Sequence, residues 1–153
     1  PDAAIIGATL ALYSIGGSAG GLLAGALEGR LGRRRVVIVS MLLGLPTAAA
    51  VLFVAPGSVL YWLLVGLAGI TTNAPIPLLV VSAQELAPHA VATASGMLMG
   101  FTWGTAGVLY IGFGALQQAI GLQPALLLSF AFLLPAAWLA RRVLKRNAAA
   151  LSG

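Results

Sequence analysis

The chain has 153 residues, 60% of them hydrophobic and 7% charged, with a formal net charge of +5, no cysteine and one histidine. Soluble domains average about 25% charged residues, so a water-facing globular surface is excluded for most of this length. Disulfides, thiol chemistry and Cys-ligated metals are excluded too, and one His with three carboxylates leaves neither a metal-ligand set nor an acid–base pair, which argues against an enzyme.

Five apolar runs follow one another at about residues 4–27, 36–54, 58–82, 92–115 and 124–140. At 1.5 Å per residue each can cross a hydrocarbon layer about 30 Å thick, and in lipid a helix satisfies its own backbone groups. The expected fold is therefore an all-α polytopic membrane bundle of five transmembrane helices. Residues 28–35 are read as a basic loop after the first span. Ala55, Pro56 and Gly57 make a tight turn after the second, and residues 83–91 and 116–123 are read as loops bounding the fourth.

All eight Lys and Arg residues fall in two clusters: Arg30, Arg33, Arg34 and Arg35 after the first span, and Arg141, Arg142, Lys145 and Arg146 after the fifth. Basic loops stay on the cytoplasmic side, so the expected location is the cytoplasmic (inner) membrane, with the segment's N-terminus outside and its C-terminus inside. Tyr61, Trp62 and Tyr110 then fall near the outer interface and Trp138 near the inner one. The same topology accounts for the basic balance with the lipid bilayer as partner and no nucleic acid. The chain opens on Pro1 directly into an apolar run and shows no signal peptide, so a segment of a longer product is expected.

Within the spans, small residues recur at fixed spacing. Gly17, Gly21 and Gly25 in span one, and Gly96, Gly100 and Gly104 in span four, lie four residues apart on one helical face. Such stripes let membrane helices pack closely. Most of these glycines are read as generic intramembrane packing, and the sharper expectation is that the two helices form a tight or sliding contact in a protein that changes shape, so that Gly100→Leu should impair assembly or transport. Span three carries Thr71, Thr72, Asn73, Ala74, Pro75, Ile76 and Pro77. Pro75 cannot donate to the Thr71 carbonyl, nor Pro77 to that of Asn73. The reading is a loosened turn whose polar groups line a cavity, or else a kink whose Thr side chains bond back to their own helix. Tyr13 and Trp103, well inside their spans, are added as cavity candidates. No ionisable group lies deep in any span, so no proton-carrying acid is expected within this segment.

The stretch from Gly25 through Glu28, Gly29, Arg30 and Gly32 to Arg33, Arg34 and Arg35 resembles the cytoplasmic loop motif of the major facilitator superfamily, Gly-x-Leu-x-Asp-Arg-x-Gly-Arg-(Arg/Lys). Five spans with an external N-terminus and this loop after the first match helices eight to twelve of that family. The run Gln84-Glu85-Leu86-Ala87-Pro88, followed by Ala94-Ser95-Gly96 and Gly100, is similar to a signature of fosmidomycin-resistance-type efflux proteins. The resemblance implies part of the C-terminal half of a 6+6 fold, with the N-terminal half and the coupling residue upstream. It also implies alternating-access, proton-coupled efflux of small organic molecules or drugs, with no cofactor beyond the proton gradient. An uptake carrier for organic anions or metabolites, and a non-transporting scaffold or partner subunit, remain alternatives. The family's loop acts as a gate, which makes Gly25, Glu28, Arg30, Gly32, Arg33 and Glu85 the gating candidates. Gly29 occupies the motif's Asp position, and Glu28 is offset from it by about 100° around the helix. Glu85 is read either as capping the start of span four or as pairing with an arginine of the basic loop.

Overall fold

The computed structural model describes the backbone of residues 2–150 and the side chains as far as residue 145. Pro1 and the side chain of Arg146, both used in reading the topology, lie outside the described residues. Seven helices follow in order: α1 Ala3–Leu31, α2 Arg33–Val51, α3 Val59–Asn73, α4 Pro75–Leu86, α5 Val91–Ile120, α6 Leu122–Ala131 and α7 Leu133–Ala150. α3 with α4, and α6 with α7, form single long stretches, so five helical stretches are long and apolar enough to cross a membrane.

The connections are tighter than the sequence reading expected. Residues 28–35 are not a loop: α1 runs to Leu31 and α2 starts at Arg33, leaving Gly32 alone between them. Gly32 has φ +79°, a left-handed conformation that glycine adopts without strain, and its N–H donates to the Glu28 carbonyl. Gly121, at φ +89°, likewise separates α5 from α6, and the expected loop at 116–123 shrinks to that residue. Only residues 87–90 interrupt the helices within the expected loop 83–91. The fifth span is broken at Phe132, which the apolar run concealed; Pro135, which cannot donate to the Ala131 carbonyl, is the local cause.

The glycine stripes part company. α1 packs most extensively on α3, and the approach is backbone against backbone. A Cβ added to Gly16 would strike the Gly66 carbonyl, one on Gly20 the Ile70 carbonyl, and one on Gly69 the Tyr13 carbonyl. Gly17 lies against Asn73 and Gly21 against the Pro77 ring, whereas a Cβ on Gly25 would meet nothing within 4 Å. α5 packs instead on α4 and α6 and buries no residue. Gly96, Gly100 and Gly104 face open space, with nothing within 4 Å of an added Cβ. The α1 stripe thus meets α3 at Gly17 and α4 at Gly21, with Gly66 and Gly69 supplying the gap on α3, while the span-four stripe meets no other helix among the described residues.

Hydroxyl pairs stitch this core across helices. Thr9 shares a hydrogen bond with Tyr61 at 2.8 Å, Tyr13 with Thr72 at 2.8 Å, and Thr47 with Thr71 at 2.9 Å. Such bonds between membrane helices contribute about 0.6 kcal/mol each. A cluster of Ala24, Val36, Val37, Ala74, Leu78 and Leu144 joins α1, α2, α7 and the α3–α4 junction. It packs beneath the charged end of the bundle.

Candidate functional site

Arg33 is the hub of that charged end. As the first residue of α2 it stands beside the last turn of α1, and its Nε donates to Glu28 Oε1 at 2.5 Å. Its guanidinium forks onto Glu85 near the end of α4, with Nη1 donating to Oε2 and Nη2 to Oε1 at 2.9 Å. Nη1 also reaches Ser82 Oγ at 3.3 Å, and that hydroxyl donates to the Leu78 carbonyl. One side chain thus ties the α1–α2 turn to the end of α4, which lies about fifty residues further along the chain. The two-pronged arrangement is one that a lysine could not reproduce.

These charges sit against the local helix dipoles. Arg33, Arg34 and Arg35 occupy the first turn of α2, the partially positive end, while Glu28 and Glu85 occupy the last turns of α1 and α4, the partially negative ends. Each placement disfavours its own helix, and for Arg33, Glu28 and Glu85 mutual pairing offsets the conflict. Helix stability does not explain the pattern; an inter-helix clasp does.

Two sequence readings are thereby resolved. Glu85 pairs with Arg33 rather than capping α5, whose start at Ala90 has no side-chain cap. Glu28, not position 29, supplies the acid of the loop, and Gly29 has nothing near an added Cβ. Arg30 is exposed at the end of α1, without a carboxylate partner among the described residues. Arg33, Arg34, Arg35, Glu28, Glu85 and Arg141 surround an open basin of about 760 Å³. Beyond it Arg142 lies 3.8 Å over the Trp138 ring, a cation–π contact suited to a membrane interface.

Glu85 lies past the apolar span ending at Ser82, and the Arg33 guanidinium holds its carboxyl below the ordinary carboxylate range. Its folded pKa being lowered, the pair stabilises the bundle fully above the unfolded value, about 4.3, and that contribution is lost as pH falls through the lowered value. Thermal unfolding in detergent is therefore expected to favour the parent over Glu85→Gln from about pH 5 upward, with the gap closing on acidification below about pH 4. A gap that persisted unchanged into acid would contradict the pairing.

The cavity candidates separate into three groups. Tyr13, Thr72 and Asn73 come together on one face, with Asn73 Nδ2 donating to the Gly69 carbonyl at 3.0 Å and to Thr72 Oγ1 at 3.3 Å. Thr71 and Pro75 are buried, and Pro77 is exposed beside Gly21. Trp103 stands apart, 75% exposed on α5. The break in span three is a kink rather than an unwound turn: Ala74 keeps helical angles (φ −50°, ψ −37°) and its N–H donates to the Ile70 carbonyl. Thr71 and Thr72 bond back to the Leu67 and Ala68 carbonyls at 2.9 and 2.7 Å, the second of the two arrangements expected for this segment. Sequence reading missed Ser82 beneath Arg33, and also the Gln84–Ser95 bond of 2.8 Å that holds α4 to α5. Polar spacing within one helix carried no signal for either.

Five apolar helical stretches, hydroxyl pairs between helices and charge near the helix ends define a multi-pass helical membrane protein. Over 122 residues the chain is 34% identical to YfnC of Bacillus subtilis (strain 168), which is named an uncharacterized MFS-type transporter. The match takes in 80% of this chain and 29% of YfnC, so the aligned region spans less than a third of that relative's length. It supports membership of the major facilitator superfamily. No family model matches the chain, and no solved structure does.

Proposed function

We propose that the chain forms part of a secondary transporter that moves small organic molecules across the cytoplasmic membrane by alternating access, in the direction of proton-coupled efflux. The observation that carries this reading is the Arg33 clasp, which bonds the ends of α1, α2 and α4 through side chains poorly placed for their own helices. Ion pairs at helix ends can form in one conformation and open in the other, biasing a two-state equilibrium. In this reading the clasp closes the cytoplasmic side. The Tyr13, Thr72 and Asn73 face lines the pathway, and the open Gly96, Gly100 and Gly104 face of α5 receives the rest of the transporter. The coupling acid lies outside these spans, none of which carries a charge at depth. The likeness to YfnC supports the transporter class, and the Gln84 to Gly100 stretch points to efflux of the fosmidomycin-resistance type.

Flux in inverted vesicles carrying the protein tests this. Uptake of a lipophilic cationic dye or of fosmidomycin, driven by an imposed proton gradient and abolished by a protonophore, is the expected result. Gradient-driven movement in the opposite sense would favour the uptake carrier. Absence of any coupled flux, with a membrane protein copurifying, would favour the scaffold.

A further inference from the structure

A second cavity lies beside the charged basin and has different chemistry. It is a groove of about 340 Å³ between α1 and α2, with α3 as its floor. Leu23 and Leu27 form one wall, Val39 and Leu43 the other, and Ile70 lies on the floor. The four-residue spacing of each wall sets these side chains on single helical faces. Val39 and Leu43 remain 53% and 50% exposed, so the groove opens sideways. The hydroxyls lining it are already engaged: Ser40 Oγ donates to the Val36 carbonyl at 2.6 Å, and Thr71 is held by the Leu67 carbonyl and the Thr47 hydroxyl. A polar solute would find little to bond there. The one charged lining residue is Arg35, at the end next to the α1–α2 turn. Unlike Arg33 it has no carboxylate within salt-bridge distance among the described residues.

We propose that this groove seats an acyl chain of an anionic phospholipid, with the lipid phosphate on Arg35. The stretch of α2 from Arg35 to Leu43 is about 12 Å long at 1.5 Å per residue. It therefore runs from head-group level to less than halfway through a hydrocarbon core about 30 Å thick. Apolar walls suit the chain, and an unneutralised guanidinium at head-group depth suits phosphate oxygens in a fork geometry. Arg34, one residue earlier, lines the charged basin but not this groove, so its charge is equal and its position is not.

The test uses the protein in vesicles of phosphatidylcholine with phosphatidylglycerol, extracted gently and weighed with its retained lipids by native mass spectrometry. Preferential retention of one phosphatidylglycerol is expected for the parent and for Arg34→Gln. Arg35→Gln should lower that preference about fivefold, the factor for one cation near an anionic surface. Val39→Trp, which fills the groove from an exposed position, should remove the retained lipid whatever its head group. Equal losses in Arg34→Gln and Arg35→Gln would show diffuse charge attraction and overturn the seat. Retention unchanged by Val39→Trp, or no lipid retained by the parent, would overturn it as well, the latter leaving the groove to another protein segment.

Discussion

Gly20→Val is expected to destabilise the helical bundle by about 3 kcal/mol, the upper part of the usual overpacking range. The reason is what a side chain would meet. At Gly20 the obstacle is the Ile70 backbone, with its carbonyl and Cα both in the way, and a backbone inside a helix cannot rotate aside as a side-chain tip can. α1 would have to move off α3, loosening the Tyr13–Thr72 and Thr9–Tyr61 bonds together. The natural comparison is Gly100→Leu, where no atom lies within 4 Å of the added Cβ. That variant should stay within about 0.5 kcal/mol of the parent in the stability of this bundle. Unfolding titrations in mixed detergent measure both. Equal effects would mean that the α1–α3 contact is not the close one. A Gly100→Leu protein that folds but fails to transport would mark the α5 face as the surface covered by the rest of the transporter.

If the clasp closes the cytoplasmic side as proposed, Arg33→Ala should shift the balance between the two access states about tenfold. The clasp joins two carboxylates to one guanidinium, but the side chains are 22% exposed at Arg33, 29% at Glu28 and 41% at Glu85. Solvent screening therefore limits the network to about 1.4 kcal/mol, which is that tenfold factor. Arg33→Lys should recover little, since an ammonium cannot span Glu28 and fork onto Glu85 at once. Transport rates in vesicles, compared at equal insertion, measure the effect. Rates unchanged in both variants would reduce Arg33 to a topology anchor.

The spans were legible because long runs free of charged side chains can be filled only by a lipid-facing helix, and Pro75 located the kink of the third to within one residue of Ala74. Turn lengths were not. A run of arginines looks like a loop, yet Gly32 alone reverses the chain while its neighbours stay helical. The glycine spacing put Gly17 and Gly21 on one face of α1 without naming α3 and α4, the helices they meet. Spacing within a helix holds no information about its neighbour, and the matching Gly66 and Gly69 are three apart rather than four. The break at Phe132 was hidden for a similar reason: Pro135 sits in a strongly apolar run, and hydropathy outweighed it. Of the site, the pairing of Glu85 with the basic loop was foreseen as one of two possibilities, because opposite charges at the same membrane face are few. Its convergence with Glu28 and Ser82 on Arg33 depends on how α1, α2 and α4 pack.

The central proposal is that the Arg33 clasp closes one side of a pathway lined at Thr72. The chain has no cysteine, so a single thiol can report on it. The measurement is labelling of Thr72→Cys by a membrane-impermeant maleimide applied from either face of oriented vesicles, with Arg33 intact and with Arg33→Ala. With the clasp intact, labelling should come mainly from the outer face; without it, reaction from the inner face should rise about tenfold. Labelling that ignores Arg33, or a Thr72→Cys thiol unreachable from both faces, would contradict the proposal.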